Sequence, residues 1–115
     1  MPRLKILHPN SERTEYEFEV ESLSIGREGD NHIILDHERV SRHHVELSQQ
    51  NDFWYLCDMG STNGTFFNDQ RVDALMLRDG DCFTVGDFRL TFYLLTIEPQ
   101  TVINPGSDSQ AESAQ

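Results

Sequence analysis

Apolar side chains fall at every second position over much of this chain, and no stretch sustains a period of 3.6 residues. A period of two belongs to extended strands whose two faces differ, so the chain is confined to an all-β architecture. Leu4, Ile6 and His8 share one face of a first strand, and Pro9 to Arg13 read as a hairpin loop. Tyr16, Phe18 and Val20 alternate with Glu15, Glu17, Glu19 and Glu21, which predicts a half-buried strand with an acidic outer face. Leu23–Ile25 is a short strand that stops at Gly26, and Ile33–Leu35 is another. His43, Val45 and Leu47 alternate with His44, Glu46 and Ser48, while the nearly all-apolar Phe53–Cys57 fits a central strand. Thr65–Phe67 and Arg71-Val72 flank a turn at Asn68-Asp69-Gln70, and Leu75–Leu77 ends at Asp79-Gly80. Asp81–Val85 and Phe88–Leu95 are joined by Gly86-Asp87, a two-residue hairpin signal. Phe88, Leu90, Phe92 and Leu94 line one face of that last strand. With a turn signal about every 8–12 residues, the expectation is a β-sandwich of about eleven short, mostly antiparallel strands.

The apolar residues concentrate between Leu4 and Ile97, so residues 1–97 are expected to form one domain. From Pro99 the composition turns to Ser, Gln, Asn, Asp and Gly without apolar pattern, and residues 98–115 read as a disordered tail or linker. Twenty acidic residues against nine basic ones set the net charge at -11. Such a surface repels the phosphate backbone of DNA or RNA and anionic membranes, so neither is an expected partner. A single phosphate is a different matter, because local charge decides it, and three of the nine basic residues, Arg27, Arg39 and Arg42, lie at or near clusters of polar residues. Cys57 and Cys82 lie far apart in apolar runs, as small core residues do, without the spacing of a zinc site or a disulfide framework. The N-terminus lacks the apolar core of a signal peptide and no segment is long enough to span a bilayer, so a soluble cytoplasmic protein is expected.

Three polar clusters interrupt the strands: Gly26-Arg27, then Ser41-Arg42-His43-His44, then Asp58-Met59-Gly60-Ser61-Thr62-Asn63-Gly64-Thr65 followed by Asn68. If these turns meet at one edge of the fold, they form a pocket of guanidinium, hydroxyl and amide donors suited to a phosphate group. Taken singly, each has a plainer reading: a surface arginine after a turn glycine, a serine turn before a strand, an Asn-Gly hairpin. Ser41 and His44 would make a nucleophile and base for a hydrolase, but the chain shows neither an orienting acid motif nor a nucleophile elbow. The aspartates near the third cluster lack the ordered spacing of a calcium loop, and no metal or other cofactor is expected.

In this order and spacing the clusters, Gly26-Arg27, Ser41-Arg42-x-His44, Asp58-x-x-Ser61-Thr62-Asn63-Gly64-Thr65 and Asn68, resemble the forkhead-associated (FHA) domain family over about Leu23 to Leu95. The resemblance implies an eleven-stranded sandwich that binds phosphothreonine peptides through loops at one end. It implies that Arg27 and Ser41 hold the phosphate, with Arg42 adding a contact, and that Thr62 touches the phosphate or lines the pocket for the threonine methyl. Asn63 would bond the peptide backbone, Arg39 would meet a side chain three residues after the phosphothreonine, and Gly26, His44, Gly64 and Asn68 would be architectural. The implied function is a non-catalytic signalling adaptor recruited to proteins marked by a Ser/Thr kinase. The alternative is a scaffold for phosphate-independent contact or self-association. Thr96 and Thr101 follow the last strand, and a phosphorylated Thr101 would offer the pocket an internal ligand.

Overall fold

The computed structural model describes residues 2–94. They form eleven strands: β1 (Arg3–Leu7), β2 (Arg13–Glu17), β3 (Ser22–Gly26), β4 (Ile33–Ile34), β5 (Val45–Gln50), β6 (Phe53–Asp58), β7 (Thr65–Phe67), β8 (Gln70–Val72), β9 (Ala74–Leu77), β10 (Cys82–Val85) and β11 (Phe88–Tyr93). There is no helix among the described residues. The strands build a six-stranded sheet in the order β2-β1-β11-β10-β7-β8 and a five-stranded sheet in the order β4-β3-β5-β6-β9. Among the described pairings, β3 with β4 is parallel and the others are antiparallel. The architecture is therefore the expected β-sandwich. The proposed boundary at residue 97, the tail 98–115, Leu95, Thr96 and Thr101 lie outside the described residues.

The alternating positions supply the core. Leu4, Ile6, Phe83, Val85, Leu90 and Phe92 of one sheet face Leu23, Ile25, Val45, Leu47, Trp54 and Leu56 of the other, all buried. Trp54, near the start of β6, packs edge-to-face with Phe18 at 5.4 Å and tilted against Phe92 at 6.1 Å between ring centroids. Each such side chain contributes about 1.5–3 kcal/mol on leaving water. The β7–β8 hairpin turns on Asn68 and Asp69, both at positive φ (52° and 65°), the pair of left-handed residues that matches strand twist in a two-residue loop.

Four expectations need correction. The β2 strand stops at Glu17; Phe18 is buried beyond it, but Tyr16 and Val20 are exposed, because β2 is an edge strand with little of the opposite sheet above it. His44, not His43, points inward: β5 begins only at Val45, and the turn before it breaks the alternation. Leu94 lies past the end of β11 and is exposed, unlike Phe88, Leu90 and Phe92. Cys57 and Cys82 are free thiols on the outward-facing registers of β6 and β10, half-buried rather than in the core.

The sheet registers bring the C-terminal ends of β3, β6 and β10 to the same edge as the start of β5 and β7. The segments 27–32, 35–44 and 59–64 and the Gly86-Asp87 turn therefore gather at one end of the sandwich.

Candidate functional site

These segments are tied to one another mostly through main-chain atoms. Arg27 N–H donates to the Ser41 carbonyl (3.0 Å) and Glu28 N–H to the Arg42 carbonyl (3.2 Å). A Cβ on Gly26 would stand 2.3 Å from the Arg42 carbonyl oxygen, so only glycine admits this approach. Asn31 is buried and its Nδ2 donates to the carbonyls of Glu28 and Arg42, both at 2.8 Å. His44 is fully buried and spans the second and third clusters. Its Nδ1 accepts the Ser41 N–H (3.1 Å), so the ring proton sits on Nε2 and is donated to the Gly64 carbonyl (3.0 Å). Burial lowers the pKa of His44, against the opposing pull of the Gly64 hydrogen bond and Asp58, and keeps the ring neutral.

Asp58 organises the third cluster. Its Oδ1 accepts from the N–H groups of Gly60 and Ser61, both at 2.8 Å, and its Oδ2 from the hydroxyls of Ser61 (2.6 Å) and Thr65 (2.7 Å). Partial burial disfavours its charge, yet these donors together outweigh it and the pKa is lowered. Ser61 Oγ in turn accepts the Gly64 N–H (3.0 Å), and Arg71 Nη2 donates to the Ser61 carbonyl (3.0 Å). Gly64 sits at φ 87° with Arg71 Nε only 2.8 Å from where a Cβ would be.

On this frame lies an open cleft of about 640 Å³ lined by Arg27, Glu28, Glu38, Val40, Ser41, Arg42, His43, Met59, Gly60, Thr62 and Asn63. Ser41 Oγ accepts the Thr62 N–H (3.0 Å), which leaves its own proton to donate outward. Asn63 Nδ2 donates to the Arg39 carbonyl (2.9 Å), which leaves its Oδ1 to accept. Neither Arg27 nor Arg42 is ion-paired among the described residues. His43 is held aside by Asp30, with Nε2 2.9 Å from Oδ1.

Of the residues singled out from the sequence, Arg27, Ser41, Arg42, Thr62 and Asn63 line the cleft, and Gly26, His44 and Gly64 belong to the frame beneath it. Arg39 is not brought in: its Nε lies 3.3 Å from Asp87 Oδ1, and only its carbonyl serves the site. Asn68 is a turn residue away from the lining. Sequence reasoning missed the roles of Asn31, Asp58 and Arg71. Asp58 was within reach, since an Asp followed at two and three residues by Gly and Ser is an Asx-turn pattern. Asn31 and Arg71 act on partners across turns and carry no local signal.

The family pattern that describes the FHA domain matches residues 23–86. Among curated proteins, the glycogen accumulation regulator GarA of Mycobacterium tuberculosis is 44% identical over 69 residues, which cover 60% of this chain and 43% of GarA. The chain thus spans under half the length of that relative. A solved structure from work on phosphothreonine-dependent FHA domain interactions superposes with a TM-score of 0.73 at 28% identity, over 84% of this chain and 98% of that one. The structure of Mycobacterium tuberculosis EmbR in complex with a low-affinity phosphopeptide gives a TM-score of 0.72 at 30% identity, over 81% of this chain and 24% of that one. With the fold, the ordered polar clusters and the matched span in agreement, the chain belongs to the FHA domain family.

Proposed function

We infer that this domain binds a phosphothreonine peptide of a partner protein phosphorylated by a Ser/Thr kinase, and acts as an adaptor in the cytoplasm without catalysis. The observation that carries the reading is the cleft itself: two unpaired guanidinium groups, Arg27 and Arg42, beside a Ser41 hydroxyl whose proton is free to donate. In this reading Arg27 and Ser41 grip the phosphate and Arg42 adds a contact. Thr62 lines the wall against the threonine methyl, and Asn63 Oδ1 accepts a peptide N–H. Arg39 joins only if an acidic residue three positions after the phosphothreonine draws it from Asp87, an exposed pairing worth at most about 1 kcal/mol.

A phosphothreonine brings about -1.5 to -2 charges. Three or four charge-assisted hydrogen bonds, at roughly 1.5–3 kcal/mol each and less ordering and desolvation costs, amount to affinity on the order of micromolar. The absence of turnover is supported by His44: both its nitrogens are engaged, on Ser41 N and the Gly64 carbonyl, so neither is placed to take the Ser41 hydroxyl proton. The test is calorimetric titration with phosphothreonine peptides and their unphosphorylated twins, on the wild type and Arg27→Ala. Binding that needs both the phosphate and Arg27 supports the reading. Equal heats for the two peptides overturn it.

A further inference from the structure

Outside the cleft, basic residues collect in a second place. Only Arg3 and Arg39, of the nine basic side chains, pair with a carboxylate among the described residues, although the chain carries twenty acidic groups. On the outer face of the six-stranded sheet, Leu7 has Arg13 as its register partner on β2 and Arg89 on β11. The two arginines therefore flank Leu7 across two strand spacings, about 10 Å. Together with Lys5 they line a groove of about 370 Å³. Among the described residues the one carboxylate lining it is Glu15, already held by Arg3 at 2.6 Å. On a chain of net charge -11 this is a locally cationic rim around an apolar floor. Neither the Arg13 nor the Arg89 side chain has a hydrogen-bond or ion-pair partner among the described residues.

We propose that this groove is a second, phosphate-independent docking site for a carboxylate-rich segment of a partner protein. The charges are complementary: an acidic segment can offer carboxylates to Arg13 and Arg89 while an apolar side chain between them covers Leu7. Along the chain Arg89 lies two residues after Asp87, whose carboxylate meets Arg39 at 3.3 Å. The groove's own binding does not depend on the cleft reading.

The test uses the full chain, isotopically labelled, at low ionic strength, and a synthetic Glu-rich peptide with one central Leu and no phosphate. Amide shifts are expected to cluster at Leu7, Arg13, Arg89 and Thr91. The variant Arg13→Gln/Arg89→Gln, both positions exposed, should bind about three- to tenfold more weakly, while Arg27→Ala leaves this titration unchanged. Binding should also fade as salt rises toward 0.15 M, where the Debye length is about 8 Å. Shifts confined to the cleft on the wild type would overturn the proposal, whatever the variants do. So would undiminished binding by a folded double variant, or a response to a phosphoserine peptide or anionic vesicles but not to the Glu-rich peptide. Failure of phosphothreonine binding with the groove shifts intact would sink the cleft reading alone.

Discussion

Replacing His44 by Phe tests whether the buried imidazole holds the recognition loops together. The ring is fully buried and satisfies two main-chain groups, the Ser41 N–H at 3.1 Å and the Gly64 carbonyl at 3.0 Å. Phenylalanine keeps a flat ring, somewhat larger than imidazole, but satisfies neither. An orphaned buried polar group costs about 1–3 kcal/mol. Gly64 is buried and Ser41 half-buried, so water recovers part of the loss at Ser41, and the sum comes to about 2–4 kcal/mol. A domain with about 5–15 kcal/mol to lose stays folded. If about 1 kcal/mol of that appears as disorder at Ser41, phosphopeptide affinity falls about fivefold. The pH dependence gives a second reading. Because the folded-state pKa of His44 lies below the ordinary 6.5, the unfolded chain takes up its proton first as pH falls. His44's neutral form therefore supports folding fully above about 6.5, and that support is lost as pH drops from there toward the lowered folded value. Urea unfolding of wild type and His44→Phe between pH 8 and 5 should show the wild-type stability falling more steeply below 6.5. A cost under about 1 kcal/mol, or parallel pH curves, would refute the bridging role.

Arg27→Ala should abolish phosphate-dependent binding in calorimetry while shifting stability by no more than about 0.5 kcal/mol, as its side chain is exposed and makes no described contact. Gly26→Ala drives a methyl to within 2.3 Å of the Arg42 carbonyl; a loss of about 1–3 kcal/mol in thermal or urea unfolding is expected, with weakened peptide binding as Arg42 is displaced. Asp58→Asn keeps an acceptor for the two backbone donors but loses the charge that the Ser61 and Thr65 hydroxyls address. Since the Asp58 pKa is lowered below 3.8, its contribution is present above that value and lost as pH falls through the folded one; acid unfolding of the variant should show a shallower limb below about pH 4.

The sandwich was legible because its sheets are covered on one face and wet on the other, and period-two alternation records that directly. It failed where coverage depends on a distant neighbour. Tyr16 and Val20 alternate as well as Phe18 does, but only Phe18 finds Trp54 above it. His44 was placed on the wrong face because the phase of β5 cannot be extrapolated back through a turn. In the site, the donors with outward chemistry stood out as residue types: Arg27, Ser41, Arg42, Thr62, Asn63. What positions them did not, because Asn31 reaches eleven residues ahead to Arg42, and the bearing of Arg39 is set by Asp87 on another hairpin.

Beside the Asp58 carboxylate, much of the frame under the cleft is built on carbonyl oxygens: those of Arg39, Ser41, Arg42, Ser61 and Gly64 each accept a bond that shapes the loops. A carbonyl is the same whichever side chain it carries. The rim of the site is in this sense modular. Residues such as Arg39 and Arg42 are free to be exchanged in evolution or by design, retuning which sequences around the ligand are preferred, without disturbing the scaffold that presents them.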